Sequence, residues 1–111
     1  MNDCVFCNIV KKSMHSNILY ENNEMVVIKD ILPKAPVHLL IISKEHIISV
    51  NHIEEKHKNL VSDMIFLAKN MAAQFKVAES GYKLLFNVGR DGGQVVPHLH
   101  LHLLGGKALE D

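Results

Sequence analysis

The sequence predicts an α+β domain: a mainly antiparallel five-stranded sheet with one long helix and one short helix. Three observations carry this. Five short runs are rich in β-branched, aromatic or alternating apolar residues, and turn residues separate most of them. One stretch alone is long enough, with apolar residues three or four apart, to form an extended amphipathic helix. Runs that follow one another through short connections favour antiparallel pairing. With 111 residues there is room for one domain, residues 1–111, and a modest core that association with a second copy would help.

The elements follow in order. Cys4 to about Lys12 fits a short helix, with Val5, Phe6 and Ile9 at helical spacing. Ile18–Tyr20 and Met25–Ile28 read as two strands joined by the turn-prone Glu21-Asn22-Asn23-Glu24. Asp30 to Pro36 must be irregular, because Pro33 and Pro36 remove backbone donors and restrict the residues before them. Val37–Ile42 is apolar enough to be central in a sheet. The long helix is expected from about Ile53 to Val77, with Leu60, Met64, Leu67, Met71 and Phe75 as its core face. Val61, Ile65 and Ala72 lie beside that stripe as spare apolar area. Gly81 stops or follows the helix. Tyr82–Val88 and His98–Leu104 are the last two strands, with the glycine-rich Gly89–Gln94 between them. Strand order is not fixed by the sequence.

Twelve basic and twelve acidic residues cancel, which argues against a broad surface for nucleic acid or acidic lipid. A single mononucleotide needs only local donors and stays allowed. The densest apolar run, Leu39-Leu40-Ile41-Ile42, is far below the roughly 20 residues that span a bilayer. No secretory signal is visible, so a soluble cytoplasmic protein is expected, with no membrane partner.

Eight histidines stand in the chain, three of them alternating with leucine from His98 to Leu103. Side chains of a strand alternate between faces, so the three imidazoles share one face and Leu99, Leu101 and Leu103 the other. The leucines suit a core; imidazoles need polar partners, a cleft or a metal. A solvated strand face is the plain alternative, and a catalytic zinc site on the three histidines the sharper one. No His-Glu-x-x-His helix motif is present. Cys4-Val5-Phe6-Cys7 is half of a zinc site, or two buried thiols acting as small hydrophobes. A single bridge between them would close too small a loop to stabilise much.

His98-Leu99-His100-Leu101-His102-Leu103-Leu104 resembles the signature of the histidine triad family, His-φ-His-φ-His-φ-φ with φ apolar. Within it the chain is similar to the nucleotide-binding branch of purine nucleoside phosphoramidases. Asp30-Ile31-Leu32-Pro33-Lys34-Ala35-Pro36-Val37-His38, the Asn87-Val88-Gly89 and Asp91–Gln94 segments, and Leu104-Gly105-Gly106 match further family motifs in order. The resemblance implies the family's five-stranded fold, joined into a ten-stranded sheet in a homodimer. It implies cleavage of a purine nucleoside 5′-phosphoramidate, or a similar nucleotidyl conjugate, to the 5′-monophosphate through a nucleotidyl-histidine. A nucleotide-binding or scaffold protein with weak catalysis, and a dinucleoside polyphosphate hydrolase, are the alternatives.

By the same resemblance His100 is the nucleophile, held by a backbone carbonyl at its other nitrogen, and His102 and His38 complete the catalytic set. Asp30 would bind the ribose, and Ile31 would join the apolar base pocket. Asn87, Gly93, Gln94 and Val95 would meet the phosphate, with Gly92 allowing close approach. Val5, Phe6, Ile9 and Ile28 would form the base pocket. Val95 stands where the branch commonly has serine, so the hydroxyl contact to phosphate or leaving group is absent. Relatives with zinc carry it on two cysteines and two histidines, here Cys4, Cys7, His46 and His98. That zinc would be structural, and no catalytic metal is expected.

Overall fold

A computed structural model describes residues 4–111. Its elements are α1 (Val5–Val10), β1 (Ile18–Glu21), β2 (Met25–Lys29), β3 (Val37–Ser43), α2 (Lys58–Gln74), β4 (Tyr82–Leu85) and β5 (His100–Gly105). The strands form one sheet in the order β1-β2-β3-β5-β4, antiparallel at every pairing.

The two faces of this sheet explain the sequence of β3. Leu39 and Ile41 point to one face, with Met25, Val27, Leu99, Leu101 and Leu103, and α2 packs there through Leu60, Met64, Leu67, Ala68, Met71 and Ala72. Leu40 and Ile42 point to the other, with Val26 and Ile28, and Phe6 and Ile9 of α1 cover them. A strand covered on both sides reads as a continuous apolar run rather than an alternating one. Six residues of α1 cannot cover what seventeen residues of α2 cover. The rest of the second face stays open as a cavity, and His38, His100 and His102 lie on it.

Several boundaries differ from the expectation, among them the end of the long helix, at Gln74 rather than Val77. The helix begins at Lys58, not Ile53, because Ile53 is extended and two short 3-10 turns, Val50–His52 and Glu55–His57, precede it. Glu54 and His57 close a reciprocal cap, in which the Glu54 N–H donates to His57 Nδ1 at 2.9 Å. β4 ends at Leu85 rather than Val88, where Asn87 Nδ2 donates to the Gly92 carbonyl and draws the chain into the loop. β5 begins at His100 rather than His98. The Leu99 N–H instead bonds the Ile47 carbonyl at 2.6 Å, which ties Leu99 to the segment after β3. Ala72, expected as spare surface, is buried, while Ile65 and Phe66 are exposed. Among the described residues no helix is long and apolar enough to cross a membrane.

Candidate functional site

The pairing of β3 with β5 sets His38 opposite Leu104, Leu40 opposite His102 and Ile42 opposite His100. A cavity of about 620 Å³ opens above them, within the range of small-molecule sites. Val5, Phe6, Ile9 and Ile28 line its apolar side. Asp30, Ile31, Asn87, Gly93 and Val95 line it as well.

Backbone partners fix the proton on each ring. His100 Nδ1 lies 2.6 Å from the His98 carbonyl, which can only accept, so Nδ1 carries the hydrogen and Nε2 keeps its lone pair. His38 Nδ1 receives the Lys34 N–H at 3.1 Å, so its hydrogen is on Nε2. That hydrogen points to His102 Nδ1, 3.0 Å away, with Asp30 Oδ2 at 3.4 Å. The hydrogen of a neutral His102 is therefore on Nε2. The result is a directed chain from the Lys34 amide through His38 to His102, ending beside His100, whose ring centroid is 5.0 Å from that of His102.

Burial pushes His100 below its ordinary value of 6.5, opposed by its bond to the His98 carbonyl and by the charge of Asp30. His38 is lowered by burial too, with Asp30 opposing. His102 is pushed down to about 4, first by burial and then by the neighbouring His100 and His38. Each of these shifts favours the neutral imidazole.

The glycine-rich loop is built differently from the expectation. A Cβ on Gly92 would collide with the Val88 carbonyl, so this glycine serves the loop's own turn rather than an approach to phosphate. Gly93, at φ +77°, does line the cavity. Gln94 does not: its Oε1 accepts from the Gly89 N–H, and its Nε2 donates to the Ile48 and Val96 carbonyls. It latches the loop shut. Asp30 Oδ1 is held by the Leu32 N–H at 2.8 Å. Met14, His15 and Ser16, after α1, also line the cavity. Nothing in their sequence marks them, because only the docking of α1 brings them there.

His98 leaves this group. Fully buried, it turns Nδ1 away from the cavity to within 3.2 Å of Cys4 Sγ, 3.5 Å of Cys7 Sγ and 3.1 Å of His46 Nδ1. Cys7 Sγ is 3.1 Å from His46 Nδ1. Zinc bonds of ~2.0–2.1 Å to nitrogen and ~2.3 Å to sulfur give tetrahedral edges of roughly 3.3–3.8 Å. Of the four separations, 3.5 Å lies within that range and the 3.1–3.2 Å of the other three just below it, so a small outward shift of the ligand atoms would seat such an ion. The His98 Nε2–H donates to the Ser43 carbonyl at 2.6 Å, leaving Nδ1 as the ligand atom. The three histidines of the run therefore do not converge on one metal. The second convergent group is Asp30, His38 and His102.

Comparison with known proteins places this arrangement. The profile of the family described as "Scavenger mRNA decapping enzyme C-term binding" matches residues 3–110. A HIT family hydrolase from Clostridium thermocellum superposes with a TM-score of 0.95 at 45% identity, covering 100% of this chain and 96% of the other. The chain belongs to the histidine triad (HIT) family. A second HIT family hydrolase, from Legionella pneumophila Philadelphia 1, has a TM-score of 0.95 at 39% identity, covering 97% of this chain and 96% of that one. The HIT chain is also 39% identical over 107 residues to the purine nucleoside phosphoramidase of Escherichia coli K12, covering 96% of itself and 90% of that relative.

Proposed function

We propose that this HIT protein hydrolyses purine nucleoside 5′-phosphoramidates, or related nucleotidyl conjugates, to the 5′-monophosphate through a covalent intermediate on His100. The observation that carries the reading is the 2.6 Å bond from His100 Nδ1 to the His98 carbonyl, which leaves a neutral Nε2 lone pair at the cavity. The phosphoramidase name of the Escherichia coli relative supports the substrate class.

His100 Nε2 attacks the α-phosphorus, and the bond from phosphorus to the leaving nitrogen breaks. That nitrogen must gain one proton. The His38–His102 pair carries it once a phosphate anion is bound, because an adjacent anion favours the cationic imidazole. Water then attacks phosphorus, the Nε2–P bond breaks, and the proton lost by water returns to the pair. Asp30 takes the ribose hydroxyls, and Val5, Phe6, Ile9, Ile28 and Ile31 the base. The Val95 N–H and Asn87 face the phosphate, while Gln94 shapes the loop that presents them. Cys4, Cys7, His46 and His98 hold a structural zinc, which supplies a cross-link. The active species is a cytoplasmic homodimer, a location that suits two cysteines not joined in a disulfide.

The test is AMP release from adenosine 5′-phosphoramidate by wild type and His100→Ala. Release by wild type, lost by at least about 10³-fold in the variant while AMP still binds, is expected. Absence of release by wild type rejects the reading. A binding protein with weak turnover is the second reading, favoured by Val95, which is 90% exposed at the cavity and offers no hydroxyl.

A further inference from the structure

Two connections run from the Cys4–Cys7–His46–His98 group to His100. The first is His98 itself. Its Nδ1 belongs to the group, its Nε2–H is tied to the Ser43 carbonyl, and its own carbonyl receives the His100 Nδ1–H. His98 precedes β5, so no ladder with a neighbouring strand holds that carbonyl in place. The second is Phe6, between the two cysteines. Its ring stands edge-on to His98 at 5.9 Å and to His100 at 4.9 Å between centroids, and it lines the cavity. Phe6 also packs on Val26, Ile28, Leu40 and Ile42, and because a six-residue helix has little stability of its own, Cys4 and Cys7 on either side set where on that face its ring stands. Without a cation, the lone pair of His98 Nδ1 can accept one hydrogen, from a thiol or from His46, which ties it to a single partner where an ion would tie all four side chains together.

We infer that the cluster is a positioning device for the nucleophile: by holding His98 and Phe6, its four residues fix the tautomer and the ring plane of His100. The group thus governs chemistry from outside the cavity, beyond any gain in stability. The kinetic side rests on the proposed role of His100; the tautomer itself does not.

The experiment is long-range ¹H–¹⁵N spectroscopy of histidine-labelled protein, comparing the zinc-loaded wild type with metal-free Cys7→Ser below its unfolding temperature. One Nδ1–H tautomer of His100 is expected in the first and a mixture in the second. AMP release should slow by about tenfold or more, the size of effect that orienting partners of a ligand exert. Phe6→Leu, with zinc still at one per chain, should shift the His100 ring signals and slow release without loss of metal. Unchanged His100 signals in folded metal-free protein, with only the unfolding temperature lowered, overturn the inference. If Cys7→Ser does not fold, Phe6→Leu decides: unchanged His100 signals and rate reject it. If wild type releases no AMP, the proposed function fails while the His100 spectra still decide this one.

Discussion

At the scale of single residues, the backbone decides what each imidazole can do. His100 is a proton-free base at Nε2 because a carbonyl lies at Nδ1, and His38 donates from Nε2 because an amide lies at its Nδ1. Two predictions follow from these contacts. Since burial holds His100 below 6.5 in the free protein, the acid limb of kcat/KM should lie below that value, measured as AMP release from pH 4 to 8. An acid limb at or above pH 7 would contradict a neutral nucleophile. Replacing His38 with alanine removes the hydrogen bond to His102 Nδ1, and kcat should fall by about 10² with smaller change in AMP affinity. The alternation of histidine and leucine made His100 and His102 legible in the sequence. The separate fate of His98 was readable only through the family resemblance, because alternation alone puts it on the face of His100, and its departure depends on a bond from Leu99 to Ile47 across the fold. Gln94 reads as a donor by type, but the loop needs both ends of its amide.

At the scale of elements, the sheet divides labour between its faces. Leu101 sits under α2 with 1% exposure, and Leu101→Ala should cost about 2–5 kcal/mol, seen as a fall of roughly 10–20 °C in Tm. The histidines on the opposite face should feel this less than they feel loss of α1. Stability should also depend on pH. His102 has its folded value lowered to about 4, so the unfolded chain binds more protons between that value and 6.5. The stabilisation is complete above about 6.5 and is lost as pH falls toward 4. Denaturant midpoints from pH 8 to 4 should decline across that window in wild type and decline less in His102→Gln. The strands and the helical stripe were readable because period two and period 3.6 are local signals. The start of α2 was not, since Glu54 and His57 close a separate 3-10 turn before it with side chains that also suit a helix interior.

At the scale of the whole molecule, the two edges of the sheet are unlike. β4 ends the sheet on one side with half-buried residues, and Ile65 and Phe66 are exposed on α2. A homodimer paired along β4 should elute at twice the chain mass, and Lys substituted for Leu84 should shift it to the monomer in light scattering. The fold class was legible because each run matched one element. The strand order was not, because sequence periodicity names faces, not neighbours. On the far side β1 is four residues long, has an irregular register between Ile18 and Tyr20, and carries Glu21 clasped by Lys12 at 2.8 Å and Lys44 at 2.7 Å. Both lysines hold that carboxyl down to about 2, so the clasp stays charged through nearly all of the acid range. Two copies, if joined through β4 as proposed, would expose only such blunted, charged ends, so that assembly would close at two and offer no template along which a fibre could grow.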